Sequence, residues 1–273
     1  VAILIGVFGS AIGSFLNVVI YRLPLKISVV SPPSACGSCG SRIRPWDNVP
    51  VLSWLLLRGR CRDCRTRISF RYPIVELGTA VFFGVVAAWL LTGQSASDPA
   101  TASSLIATGL TLFALLYLAA VSVALGMIDL ETHTLPNRIV LPAYPIAAVL
   151  LGAASLLTGE PGRLFGAVAG GLILFGLYLL MALAYPAGMG MGDVKLAGLL
   201  GLYLGWFGWG QFAVGAFSAF LLGGLFALAL LATRRANRKS GIPFGPWMLA
   251  GAWLGIFYGE QIATGYLSLF GLV

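Results

Sequence analysis

Eight apolar runs, most of them close to the ~20 residues an α-helix needs to cross a bilayer, constrain this chain more than any other feature. They fall at 1–21, 73–91, 103–128, 139–157, 164–185, 194–207, 212–232 and from 246 to 258 or beyond. The sixth is short, and glycines blur the ends of several. Hydrophobic residues make up 59% of the 273 residues and charged residues 10%, against roughly 45–50% and 25% in soluble domains. That balance excludes a disordered chain and a nucleic-acid-binding module, and argues strongly against a soluble enzyme. The fold class expected is an all-α polytopic membrane protein with about eight transmembrane helices. The first run reads as a span rather than a signal peptide, since it lacks a basic start and ends in Asn17, Tyr21 and Arg22 instead of small residues.

The charges set an orientation. With the N-terminus outside and the runs threaded alternately, the inside receives ten Lys or Arg between Arg22 and Arg71. It also receives Arg138, Lys195 and the group Arg234, Arg235, Arg238 and Lys239, leaving only Arg163 outside. The positive-inside rule selects this threading. The net charge of +8 therefore marks cytoplasmic connections and gives no reason to expect nucleic acid as a partner. Pairs such as Gly9/Gly13, Gly166/Gly170, Gly201/Gly205 and Gly251/Gly255 are expected to let helices pack closely.

All four cysteines, Cys36, Cys39, Cys61 and Cys64, lie in the first inside connection as C-x2-C, 21 intervening residues, C-x2-C. Each C-x2-C aims two sulfurs at one metal, and two such knuckles close a tetrahedron with no open position. The pattern points to a structural Zn2+ site. A loop of about fifty residues with little to bury would draw folding free energy from the metal. Two disulfides would need an oxidising compartment, whereas the charge bias puts the loop in the reducing cytoplasm. An iron–sulfur cluster has no other support. Arg60, Arg62 and Arg65 favour thiolates and would attract anionic membrane lipids.

Nine acids occur in the chain, and two of them, Asp129 in GMIDLETHTLPN and Asp193 in GMGMGDVKL, stand at the inside ends of apolar runs. A carboxylate there is costly unless solvated, paired or functional. Brought together by helix packing, two of them could share a proton, one acting as general base on water while the other polarises a carbonyl. An interfacial cap, or half of an ion-transport pair, fits the residues equally. Gly188, Gly190 and Gly192 keep the backbone before Asp193 narrow enough for an extended peptide to approach. Lys195 is expected to snorkel or to tune the local charge. Pro136 and Asn137 separate two helices. Glu76 is expected in the first turn of a helix after Pro73, where the helix dipole favours it; Glu131 and His133 are expected at the solvated surface.

These motifs together carry a resemblance. GSFLNVVIYRLP, the two knuckles, DNVPVLSWLLLRGRCRDC, ISFRYPIVE, IDLETHTLPN and GMGMGDVKL occur in the order found in type IV prepilin peptidases, the GxGD-type aspartic membrane proteases of type IV pili and type II secretion. The likeness runs from Gly13 to about Pro246. GxGD alone would be weak; the ordered set is specific.

The resemblance implies two reactions at a bacterial inner membrane. One is cleavage of prepilin or pseudopilin leaders on the cytoplasmic side, with Asp129 and Asp193 matching the catalytic pair. The other is N-methylation of the new amino terminus with S-adenosylmethionine, associated with the amino-terminal region that holds the cysteines. Glu76 and Asp47 are candidates to assist methyl transfer on chemistry alone, and spacing does not place the donor site. The expected division is 1–21 as the first transmembrane helix, 22–72 as the cytoplasmic zinc loop and methyltransferase region, and 73–273 as the membrane-embedded peptidase. A proton-coupled transporter using the same aspartates, or an assembly protein gripping a partner through the zinc loop, are the rival readings; no convincing repeat halves support the transporter.

Overall fold

A computed structural model describes residues 1–93, 101–186, 188–233 and 243–272. The basic group Arg234 to Lys239 used in the threading lies outside the described residues, as does Asp98. The elements are α1 (Ala2–Arg22), a 3-10 turn (Pro45–Asp47), α2 (Leu52–Leu56), α3 (Arg71–Thr92), α4 (Ala102–Thr132), α5 (Asn137–Thr158), α6 (Pro161–Ala184), α7 (Met191–Phe207), α8 (Trp209–Ala232) and α9 (Gly245–Ser268). Every helix longer than α2 answers to one of the eight apolar runs. The fold is that of an all-α polytopic membrane protein, with no strand among the described residues beyond two isolated bridges.

Among the described residues six helices, α1, α3, α4, α5, α6 and α8, are long and apolar enough to cross a membrane, against about eight expected. Of the remaining two, α9 is long enough at 24 residues, whereas α7 is short, since Gly190 caps its start and Gly208 stops it with φ +147°. Its 17 residues span only ~26 Å. Prolines begin α6 (Pro161) and α9 (Pro246), where a missing amide N–H costs nothing. Pro136 caps α5, as its position in the sequence suggested.

The chain forms two compact units, one of Val1–Asp98 with Leu115–Ala124, the other of Pro99–Ala114 with Leu125–Val273. In the first, α1 lies against α3 through its glycines. A Cβ on Gly9 would come within 2.8 Å of Phe83 Cβ, and one on Gly13 within 2.7 Å of Glu76 Cα. Asn17 Nδ2 donates to the Tyr72 carbonyl at 3.1 Å, so a buried amide finds its partner across the same contact.

In the second unit, α6 and α7 meet backbone to backbone. Gly166 faces Gly205 and Gly170 faces Gly201 so closely that a Cβ on either side would strike a carbonyl opposite. The α8–α9 contact repeats the device, with Gly251 and Gly255 against Gly215 and Ala219. All four glycine pairs singled out in the sequence thus serve close packing. With lipid rather than water outside, such interfaces gain from dispersion and interhelical hydrogen bonds. The bonds are present: Trp206 Nε1 donates to Ser155 Oγ at 2.8 Å, Tyr203 Oη to the Ala114 carbonyl at 3.0 Å, and Tyr144 Oη to the Lys195 carbonyl.

Candidate active site and metal centre

Gly190 and Asp193 build the start of α7. Gly190 is the N-cap in extended conformation, and its amide donates to Asp193 Oδ2 at 3.2 Å. A carboxylate at the third helical position, reaching back to the N-cap amide, satisfies one of the donors a helix start leaves open and faces the positive end of the dipole. Asp193 therefore belongs to the first turn of the helix rather than preceding it. Two residues on, Lys195 Nζ donates to Asn137 Oδ1 at 3.0 Å, so this lysine ties α7 to α5 as well as reaching toward the surface.

Asp129 comes from the other direction. The expected span stops at Ile128, but α4 continues to Thr132 and closes on His133 in the left-handed conformation, φ +52°. Asp129 thus sits inside the last turn and is 4% exposed, while Glu131 and His133 face outward as expected. Its Oδ2 accepts the amide of Gly245 at 3.0 Å. A Cβ on Gly245 would lie 2.8 Å from that oxygen, so any larger residue there must displace the carboxylate.

Leu135 links the two acids. Its side chain would be 3.2 Å from a Cβ on Gly245 and 3.0 Å from one on Gly192, the neighbour of Asp193. Gly192 precedes Asp193 and Gly245 holds Asp129, so the turns that carry the two acids border the same side chain. Beside them Phe244, Tyr178 and Phe220 form an aromatic cluster, with ring centroids 5.4 to 6.3 Å apart. Sequence reasoning brought Asp129 and Asp193 forward, but not Gly245, Leu135 or this cluster. A glycine directly before a proline at a helix start, as in FGP at 244–246, is a signal that could have found the first of these.

In the first unit the cysteines converge. One ligand atom from each of Cys36, Cys39, Cys61 and Cys64 lies within 4.8 Å of all the others, with Cys36 Sγ to Cys64 Sγ at 3.8 Å. A tetrahedron with metal–sulfur bonds of about 2.3 Å has edges near 3.8 Å, so the four thiols fit one metal ion. The knuckles are built alike. The Cys36 amide donates to Ser41 and the Cys61 amide to Thr66, both at 2.9 Å. The residue after each second cysteine, Gly40 or Arg65, is left-handed. Antiparallel bridges Ala35–Arg42 and Arg60–Arg67 close them. Amides of Cys39 and Ser38 pull the Cys36 thiol below its ordinary value. The Thr66 hydroxyl, then its amide, brings Cys64 down to about 6. Both effects favour the thiolate that a metal needs.

Asp47 and Glu76 find different kinds of partner. Asp47 accepts both Nε and Nη2 of Arg62, and the guanidinium holds its carboxyl below the usual range, so its charge is committed to a fork-shaped ion pair. Glu76 is not in a first turn, because α3 starts at Arg71, two residues before Pro73. It is 8% exposed and accepts the Val51 amide at 2.6 Å. The helix-dipole account of Glu76 therefore gives way to one in which its carboxylate anchors the loop.

Residues 7–90 match the model of the bacterial peptidase A24 N-terminal domain, and residues 116–231 that of the type IV leader peptidase family. Proteins named prepilin leader peptidase/N-methyltransferase are similar over nearly the full length. One from Pseudomonas putida is 35% identical, covering 97% of this chain and 93% of its own. One from Aeromonas salmonicida is 36% identical over 97% and 93%. One from Pseudomonas aeruginosa is 34% identical over 96% and 92%. No solved structure matches the chain. Both halves of the sequence match, the relatives align end to end, and the ordered motifs sit in the helices and loop just described: the chain belongs to the type IV leader peptidase family.

Proposed function

We propose that this protein cleaves the leaders of type IV prepilins and pseudopilins with Asp129 and Asp193, and methylates the amino terminus that cleavage exposes. The observation that supports the first reaction is the placement of two acids, 64 positions apart in sequence, in helix-end turns that border one leucine. Each sits in an end turn of a helix, each has one oxygen held by a backbone amide, and both lie around Leu135. In such a pair one carboxylate takes a proton from water while its protonated neighbour donates to the scissile carbonyl. The hydroxide adds to carbon, and the proton then passes to the departing amine as the C–N bond breaks. In such a pair the two groups titrate as a unit, and neither owns the shared proton. Gly192, without a side chain, lets Leu135 pack directly against the turn that carries Asp193.

The setting is a bacterial inner membrane, with the N-terminus outside and both acids and the cysteine loop on the cytoplasmic face; the asymmetry of Lys and Arg supports this threading. Residues 22–72 form the zinc loop and methyltransferase region, and 73–273 the peptidase. Cys36, Cys39, Cys61 and Cys64 hold Zn2+ in a closed four-thiolate site. The ion supplies folding free energy there and no chemistry on substrate. S-adenosylmethionine, the methyl donor that the relatives' name implies, is the second substrate.

The test uses purified full-length protein in detergent with a prepilin. Wild type is expected to release the leader, and Asp129→Asn and Asp193→Asn each to lose cleavage while keeping the wild-type melting profile. Normal cleavage by either variant would end the dyad assignment.

A further inference from the structure

Beside the cysteine knuckles, the first unit holds a half-open cavity of about 340 Å³ whose lining includes Trp54, Arg62, Arg67, Tyr72, Asp47 and Glu76. That volume lies at the lower end of small-molecule sites. Its walls differ in chemistry. Trp54 is fixed by its Nε1, which donates to the Ile68 carbonyl at 3.2 Å, and by an edge-on contact with Phe70 at 5.2 Å. Asp47 is neutralised by Arg62. Glu76 is not: the Val51 amide is a neutral donor, and no cationic side chain pairs with this buried carboxylate among the described residues. Burying an anion without a countercharge is expensive, and a cation held in the cavity would relieve it.

We propose that this cavity binds the methyl donor, with the Glu76 carboxylate facing the positive sulfonium and with Trp54 and Tyr72 against the adenine and the cation. The inference rests on the methyltransferase reading above and gives that reading a place. Two other cavities among the described residues suit a sulfonium less well. A second cavity of about 360 Å³, between α1 and the loop at 29–34, has no carboxylate in its lining and a single charged residue, Arg22. A third, between α6 and α9, has only about 10 Å³.

The chemistry suits an anion at this position. The lone pair of the neutral amine forms the new N–C bond, the C–S electron pair returns to sulfur, and the amine proton leaves to water. The donor enters as a sulfonium and departs as a neutral thioether. A carboxylate facing the sulfur therefore holds substrate more firmly than product, which aids release.

The experiment is equilibrium dialysis of full-length, metal-loaded protein against labelled S-adenosylmethionine and, separately, S-adenosylhomocysteine. Wild type is expected to prefer the sulfonium. Glu76→Gln, which keeps the shape and the bond from Val51, should weaken the sulfonium by about tenfold, the equivalent of ~1.4 kcal/mol. It should change the neutral thioether much less. Equal weakening of both ligands, or of neither, overturns the site. Ultraviolet cross-linking of labelled donor to wild type needs no variant: label within 35–76 supports the site, and label only elsewhere overturns it. If wild type methylates cleaved prepilin yet the donor maps elsewhere, only the location fails. If wild type neither binds donor nor transfers methyl, the methyltransferase reading fails with it.

Discussion

Asp129 in α4 and Gly245 at the start of α9 are joined by a 3.0 Å hydrogen bond, the glycine amide donating to a carboxylate 116 positions earlier in the chain. The bond fixes one oxygen of an acid that is almost wholly buried. It is possible because the donor has no side chain, since a Cβ on Gly245 would stand 2.8 Å from the oxygen that the amide holds. Gly245→Ala must therefore push the carboxylate away or lose the bond. A displacement of about 1 Å at a reacting group can cost on the order of 100-fold, and leader cleavage is expected to fall by about that factor. Gly224→Ala is the control, because nothing lies within 4 Å of a Cβ there. Equal cleavage by the two variants would remove Gly245 from the site.

Much of this arrangement is legible in the sequence, and what is not has a common cause. Apolar runs report which segments leave water, so the eight long helices appear at their expected places. The knuckles and the glycine pairs are local patterns and appear too. A run does not report who meets whom. Nothing near Asp129 foretells an amide from α9, and nothing near Glu76 foretells Val51, because both partners arrive through tertiary packing. A helix end is misjudged where polar residues continue a helix beyond its apolar stretch: α4 runs past Ile128 to Thr132.

The seam between α6 and α7 predicts a graded loss of stability. At Gly205 an added Cβ meets the Gly166 carbonyl and the Gly170 backbone, none of which can rotate aside. Overpacking of this kind costs about 1–3 kcal/mol, so Gly205→Ala should lower the midpoint of thermal unfolding in detergent. Gly176→Ala, on α6 but facing open space, is expected to leave it unchanged or slightly raised, since alanine is the better helix former.

Metal removal should act on the loop as a whole. With few apolar contacts of its own, the loop 36–67 depends on its four ligands, and any one substitution opens the tetrahedron. Cys39→Ser is expected to drop bound zinc from about one per chain to nearly none. Limited proteolysis should then cut between the knuckles, and chelation of wild type should reproduce both effects. Full zinc retention by Cys39→Ser would disprove a four-thiolate site.

The pair between Asp47 and Arg62 makes a pH prediction whose sign is fixed. Arg62 holds the Asp47 carboxyl below its ordinary range, so the folded loop binds fewer protons at this position than the unfolded chain. The contribution to stability is therefore complete above the unfolded value of about 4, and is lost as pH falls through the depressed folded value. Comparing wild type with Asp47→Asn at each pH cancels the acid sensitivity that both share. The difference in melting temperature should be constant from pH 8 to 5 and should close below about pH 4. A difference that closes near neutrality instead would mean that another group, and not the Asp47 carboxylate, holds this side of the cavity together.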